Sequence, residues 1–284
     1  MCIVCGGQMN RHFTKKEFRI VKCPVCRLMA VENVPEDLAP YYSEGYFTGD
    51  TQLEGYMDYD HDKAASRDIY RYHLKVMEGL INKKEQWSLF EVGCATGFFM
   101  NLAKERGWVT EGIDISDYAV KEAQKKGLNV TTATLETYPP TKTFDCVAMH
   151  DVIEHVKDPI DLIKRVHKLL AMGGIFVIAT PDAGSVWARL WGQRWHAFVV
   201  PQHLFYFTTK NLVTLLKREG FDVVHTDHRG KWFSIPYIFR LLHTWTGVPL
   251  FSKIAGWTSK TFLQHQAVPI NVGDTLFLIA RKVR

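Results

Sequence analysis

The sequence predicts an α/β protein built on a parallel sheet, and three observations carry that expectation. The apolar run Leu89-Phe90-Glu91-Val92 breaks into the turn Gly93-Cys94-Ala95-Thr96-Gly97, after which residues 98–106 have helical periodicity. A second apolar run, 108–114, ends in Asp114. Strand-like and helix-like segments then alternate through most of the remaining chain, the pattern of βαβ units.

The glycine turn matters because a backbone without Cβ admits a ligand closely, and the helix that follows presents unpaired N–H groups. Asp114 lies seventeen residues after Gly97, where a carboxylate can accept both hydroxyls of a ribose. Downstream, residues 116–126 read as a helix capped by Ser116, 128–132 as a third strand and 145–149 as a fourth. Asp158-Pro159 opens a helix to residue 170, with Asp158 as N-cap and Pro159 in the first turn. Gly173-Gly174 is expected to end it before a fifth strand, 175–179. A capped helix at 208–218 and strands at 221–226 and 274–282 complete the unit.

These segments resemble the class I S-adenosylmethionine-dependent methyltransferases. That family's first motif is acid-x-Gly-x-Gly-x-Gly, matched by Glu91, Gly93 and Gly97 with Ala95 in place of the middle glycine, and its second strand ends in an acid, as at Asp114. The runs 144–156 and 173–181 continue the resemblance in order. It implies a Rossmann-like seven-stranded methyltransferase sheet with S-adenosylmethionine as cofactor. The implied cofactor-binding residues are Glu91, Gly93, Cys94, Ala95, Gly97, Asp114, Ile115, Leu135 and His150, with the turn 134–136 beside the adenine. A dinucleotide dehydrogenase, the structural rival, would need Gly-x-Gly-x-x-Gly, and the turn offers Gly93-x-x-x-Gly97.

The fourth strand ends where open α/β sheets place their chemistry. Just beyond it Asp151, Glu154 and His155 stand at i, i+3 and i+4, and we expect them to share one face of a helical turn. His155 is the first choice of general base for an acceptor that must lose a proton, and the run 154–156 resembles the Glu-His-Val signature of small-molecule O-methyltransferases. Asp151-x-x-Glu154-His155 also resembles the acid-x-x-Glu-His metal site of ubiquinone-biosynthesis and small-RNA 2′-O-methyltransferases, with aspartate where those families carry glutamate. That resemblance implies Mg²⁺, with His203 as a distant fourth ligand. A structural or acceptor-orienting role is the third reading. The stretch from Trp195 to Thr208 resembles the Glu-His-Leu-x-x-Phe segment of bacterial methyltransferases of sugar and polysaccharide synthesis, which implies a pocket wall.

At the N-terminus, Cys2-x-x-Cys5 and Cys23-x-x-Cys26 are separated by seventeen residues, each pair on a tight turn. Two such knuckles bring four thiolates to a tetrahedral point, the construction of a zinc ribbon with a closed, structural site. Redox C-x-x-C motifs do not come as two matched pairs. The expected organisation is therefore a small zinc ribbon at 1–34, a linker and amphipathic helix at 35–80, and the methyltransferase domain at 81–284. That domain carries aromatic inserts at about 183–207 and 231–271. The tyrosine-rich part of the linker, 35–51, is expected to pack as a connector or to cover the site. Pro236 and Pro249 exclude one continuous helix in the second insert, which suits core packing, a lid, a dimer surface or a lipid-touching patch.

Composition narrows the partners. A net charge of +5 arises from 35 cations and 30 acids, and the lysines and arginines are scattered in pairs, so nucleic acid is not expected as a partner. No apolar run reaches the ~20 residues that span a bilayer, and the cysteine motif starts at residue 2, so the expected location is cytoplasmic, with peripheral membrane contact as an alternative use of the second insert. With four of six cysteines committed to the paired motifs, disulfides are not expected. The expected function is methylation of a small molecule, at a hydroxyl or carbon of a nucleotide- or lipid-linked sugar or a natural-product intermediate. The alternatives are an RNA methyltransferase that grips RNA through the ribbon and a catalytically silent cofactor-binding assembly module. The oligomeric state is left open.

Overall fold

A computed structural model of the chain describes residues 1–37, 41, 66–81, 85–139, 141–229, 231–270 and 272–284. The central unit is a seven-stranded sheet. Its parallel part comprises β4 (Ser88–Val92), β5 (Val109–Asp114), β6 (Asn129–Thr132), β7 (Phe144–His150) and β8 (Leu170–Pro181); β10 (Phe221–His228) and β13 (Thr275–Lys282) complete it in the order β10-β13-β8-β7-β4-β5-β6. Only β13 runs against its neighbours, pairing antiparallel with both β8 and β10.

Alternation along the strands makes this sheet two-faced. Phe90 and Val92, Val147 and Met149, Phe176 and Ile178, and Leu276 and Leu278 belong to one core. Leu89, Cys146 and Ala148, Ile175 and Val177, and Phe277 and Ile279 belong to the other. Because side chains on a strand alternate with period two, each strand feeds both layers, and both must be covered by helices. The first layer takes α4 (Pro159–Leu169) and α6 (Thr209–Arg218); the second takes α1 (Arg67–Leu80) and α2 (Phe98–Glu105), while α3 (Asp117–Lys125) packs beside β6. In α1 the buried residues Tyr70, His73, Leu74 and Met77 follow the i, i+3, i+4, i+7 rhythm of one helical face. Ser116, Asp158 and Thr208 each cap a helix by accepting backbone N–H groups, as their placement in the sequence predicts.

One element of the sheet differs from expectation. Gly173 and Gly174 do not end α4: β8 begins at Leu170, which pairs with Phe144, and the register shifts before Cys146 pairs with Ile175. Gly173 has φ 77°, and a Cβ on Gly174 would stand 2.9 Å from the carbonyl oxygen of Ala171, so the pair forms an irregularity inside a strand. The start of the amphipathic helix expected over 60–80, residues 60–65, and the linker tyrosines Tyr42 and Tyr46 lie outside the described residues.

The N-terminal cysteine module consists of β1 (Asn10–Lys15), β2 (Phe18–Lys22) and β3 (Met29–Val31), and its sheet is completed by β9 (Phe205–Tyr206) from the first insert, which also holds α5 (Val186–Trp191). In the second insert β11 (Lys231–Ser234) pairs with β12 (Ala267–Ile270), and between them α7 (Ile235–Thr246) and α8 (Pro249–Thr258) pack together. Gly247, at φ 69°, separates the two helices, and each has a proline in its first turn, so the break falls where the prolines predict it.

Candidate active site

The carboxyl ends of β4, β5, β7 and β8 meet at one edge of the sheet, and the polar residues of interest gather there. The turn after β4 is tied to β5 by two hydrogen bonds, from the N–H groups of Gly93 and Cys94 to the carbonyl of Ile113, at 2.8 and 3.1 Å. Gly93, Ala95 and Gly97 all adopt left-handed backbone, with φ 70°, 47° and 79°. A Cβ on Gly93 would stand 2.5 Å from Val152 Cγ2, and one on Gly97 2.2 Å from Leu128 Cδ1, so packing as well as conformation demands glycine there. Ala95 keeps its Cβ in the same region at a cost of about 1–2 kcal/mol.

Asp114 closes this turn from the side. Its Oδ2 accepts from Ala95 N–H at 2.8 Å and its Oδ1 from Ser116 N–H at 2.9 Å. Burial raises its pKa, with these backbone donors acting in the opposite sense. A carboxylate has about four acceptor sites, so Asp114 keeps acceptor capacity for a ligand's hydroxyl beyond its backbone donors. Ile115 beside it is half exposed, whereas Leu135, expected next to the adenine, is buried with Phe90, Val92 and Ile113 in the core. The thiol of Cys94 is buried, and burial pushes its pKa well up, so it stays protonated.

Glu91, one residue before the end of β4, and His150, which ends β7, lie side by side, and a third residue joins them that sequence reasoning did not single out. His150 Nδ1 is 3.3 Å from Glu91 Oε1, and His150 Nε2 is 3.4 Å from His73 Nδ1. A carboxylate accepts, so His150 carries its proton on Nδ1 and its Nε2 accepts from His73. His73 lies flat on Phe277, with ring centroids 3.7 Å apart and planes within 1°. Its membership of the buried face of α1 is the signal that could have found it. Burial lowers its pKa well below the ordinary value, with the neighbouring His150 adding to the effect.

After β7 the chain does not make the expected helical turn. Asp151 takes a left-handed conformation, φ 55°, because its N–H donates to the carbonyl of Ala179 and prolongs the pairing with β8. An isolated turn follows, with His155 N–H donating to Val152. Asp151, Glu154 and His155 therefore do not share a helical face. At this turn the ligand atoms that converge to within 4.8 Å belong to Glu154, His155 and His203. Asp151 is outside that set.

Backbone carbonyls orient the two imidazoles. His155 Nδ1 donates to Gln202 at 2.9 Å and His203 Nδ1 to Ala197 at 2.8 Å, so both present Nε2 as the lone-pair nitrogen. The rings meet edge to face at 4.6 Å. Glu154, 2% exposed, receives the Thr180 hydroxyl on Oε2 at 2.9 Å, and its Oε1 lies 4.0 Å from His155 Nε2. Its own carbonyl accepts from Leu204 and Phe205, which locks the first insert against the turn. His196 stands elsewhere, 3.6 Å from Asp274. From the linker, Tyr41 reaches this wall by accepting from Gln202 Nε2 at 3.4 Å.

The four N-terminal cysteines form a second cluster. The two knuckles repeat one geometry: Cys2 N–H donates to Gly7 and Gly6 N–H to Cys2, just as Cys23 N–H donates to Leu28 and Arg27 N–H to Cys23. Gly6 and Arg27 both have left-handed φ, 72° and 64°. All four sulfurs lie within 4.8 Å of one another, with Cys2 to Cys26 at 3.3 Å and Cys5 to Cys23 at 3.4 Å and no disulfide among them. Around a tetrahedral Zn²⁺ with ~2.3 Å bonds the sulfurs would be roughly 3.8 Å apart, so a small expansion accommodates the ion. The N–H of Cys26 draws the Cys23 pKa down, favouring the thiolate form of that sulfur.

A doubly covered sheet with one reversed strand, a glycine turn and a ribose-type acid is the architecture of a nucleotide-cofactor transferase. Residues 62–226, more than half of the chain, match the methyltransferase domain family, and the chain belongs to that family. It is similar to the ubiquinone biosynthesis O-methyltransferase of Caulobacter vibrioides, at 26% identity over 170 residues, covering 52% of this chain and 67% of that protein. Among solved structures it is similar to a magnesium protoporphyrin IX methyltransferase of Synechocystis with bound SAH, at TM-score 0.52 and 14% identity over 86% of this chain and 94% of that one. A SAM-dependent methyltransferase of Thermotoga maritima also superposes, at TM-score 0.52 and 20% identity, over 78% of this chain and 92% of that one. The protein is an S-adenosylmethionine-dependent methyltransferase.

Proposed function

We propose that the enzyme methylates a small-molecule hydroxyl or carbon acid, with His155 as the general base, on a sugar-linked or natural-product intermediate. The observation that carries this reading is the orientation of His155: its Nδ1 is held by the Gln202 carbonyl and its Nε2 faces the buried Glu154 carboxylate. The cofactor would lie across the glycine turn, with Asp114 on the ribose hydroxyls and Glu91, fixed by His150, beneath it. Ile115 is the exposed apolar side chain available to the adenine.

Methyl transfer is an in-line displacement on an activated sulfonium, so alignment supplies most of the acceleration and a positioned base adds ~10²–10⁴-fold. His155 Nε2 takes the acceptor's proton as the new bond to the methyl carbon forms and the sulfur–carbon bond breaks. The Glu154 carboxylate stabilises the imidazolium that results. The small-molecule acceptors named for the relatives support this substrate class.

The convergence of Glu154, His155 and His203 supports a second reading, in which these residues hold a divalent ion that lowers the acceptor's pKa. Two imidazoles and one carboxylate suit an imidazole-preferring metal better than Mg²⁺. At the N-terminus, Cys2, Cys5, Cys23 and Cys26 hold a structural zinc with no open position. Screening nucleotide sugars and phenolic acceptors for SAH release, before and after chelation and with metal restored, separates the two readings of His155. Turnover that survives chelation while falling in His155→Ala supports the base; turnover restored only by added metal supports the ion.

A further inference from the structure

The second insert has a composition unlike the rest of the chain. From His228 to Gly273 there is no aspartate or glutamate, although 30 acids in 284 residues would place about five in a stretch of that length. The same stretch carries Arg229, Lys231, Arg240, Lys253 and Lys260. Its large apolar side chains are not all packed away: Leu250 is 59% exposed, Trp257 61% and Phe262 74%.

The pattern on α8 is directional. Leu250, Lys253 and Trp257 stand at i, i+3 and i+7 and share one exposed face, while Ala255 and Thr258 are buried. Lys260 and Phe262 continue the same exposed mixture just beyond the helix end. Cationic groups beside an exposed tryptophan and phenylalanine are the elements of an interfacial surface, with rings entering the headgroup layer and lysines meeting anionic lipid.

Topology joins this insert to the sheet at the edge that carries the site. β10 and β8 both run antiparallel to β13, so they run parallel to each other. The insert leaves the end of β10 and returns at the start of β13, the edge of the sheet where Glu91, Asp114 and His150 gather. We propose that α8 and the segment after it dock on an anionic lipid bilayer, so that the site opens toward the membrane. The corollary that the acceptor is borne by the membrane rests on the functional reading above; the docking itself does not.

The test is sedimentation of the full chain with vesicles of phosphatidylcholine alone and of phosphatidylcholine with phosphatidylglycerol, at low and high salt. The expected result is binding to the anionic vesicles only, weakened by salt. The variant pairs Trp257→Ser with Phe262→Ser, and Lys253→Glu with Lys260→Glu, should each lower the partition coefficient by roughly tenfold or more. S-adenosylmethionine affinity should be unchanged in both pairs, which separates loss of docking from loss of fold or of the cofactor site. No binding to anionic vesicles at low salt, binding that survives in both pairs, or a dimer in solution that Trp257→Ser dissociates would each overturn the proposal.

Discussion

The N–H of Val31, in the cysteine module, donates to the carbonyl of Leu204 at 2.9 Å, one residue beyond His203. Leu204 N–H in turn donates to the carbonyl of Glu154 at 2.8 Å, so a chain of backbone bonds runs from β3 to the turn that holds Glu154 and His155. Asn211 adds a second tie by donating to the carbonyl of Cys26 at 2.9 Å. The cysteine module thus buttresses the wall that orients both imidazoles.

Loss of the four-thiolate site should therefore be felt at the chemistry. Cys23→Ser is expected to lower bound zinc from about one per chain to near zero and to reduce turnover, while S-adenosylmethionine affinity stays within a few-fold, because the glycine turn is braced by β5. Metal analysis with calorimetry checks this. One zinc per chain retained in Cys23→Ser would refute the site.

At Gly97 a side chain meets two obstacles. The left-handed φ costs about 1–2 kcal/mol and the collision with Leu128 about 1–3 kcal/mol more. Gly97→Ala is expected to lower the midpoint of urea unfolding accordingly and to weaken cofactor binding, since the turn must shift. An unchanged midpoint would contradict the packing described for this turn.

Turnover of His155→Ala should fall ~10²–10⁴-fold with cofactor affinity within about twofold of the parent. Steady-state rates on an acceptor identified by screening, paired with calorimetry, give the split. Equal losses in both would make His155 a structural residue.

Buried His73 gives a pH dependence whose sign follows from its lowered pKa. In the unfolded chain it binds a proton near pH 6.5, and in the folded chain only well below that. Its contribution is therefore complete above pH 6.5 and is lost as pH falls, by up to ~1.4 kcal/mol per pH unit. His73→Gln, which can still donate to His150, should unfold with a shallower pH slope between about pH 5 and 6.5. Identical slopes would show that His73 is not the titrating group.

Much of this was legible in the strands. The strand segments of β7 and β8, the caps at Ser116, Asp158 and Thr208, and the breaks at Pro236 and Pro249 are local signals, and they sit where the sequence predicts. Long-range bonds account for what was missed. The helical turn expected at Asp151 yields to a hydrogen bond from a strand nearly thirty residues away, and Gly173-Gly174 is absorbed by pairing with β7. His203, which the resemblance implies as a distant ligand, does lie with Glu154 and His155, whereas the pairing of nearby β9 with the cysteine module is one that no periodicity announces. His73 escaped notice because a histidine on a buried helical face has no sequence signature apart from its position.

We propose that the glycine turn and Asp114 bind S-adenosylmethionine. Calorimetric titration of the purified protein and of Asp114→Ala, each with S-adenosylmethionine and with NADH, tests it most directly. The expected result is micromolar binding of S-adenosylmethionine alone and a loss of roughly tenfold or more in the variant, as when hydrogen bonds to a charged group are removed. Failure of the parent protein to bind S-adenosylmethionine, or equal affinity in Asp114→Ala, would contradict it.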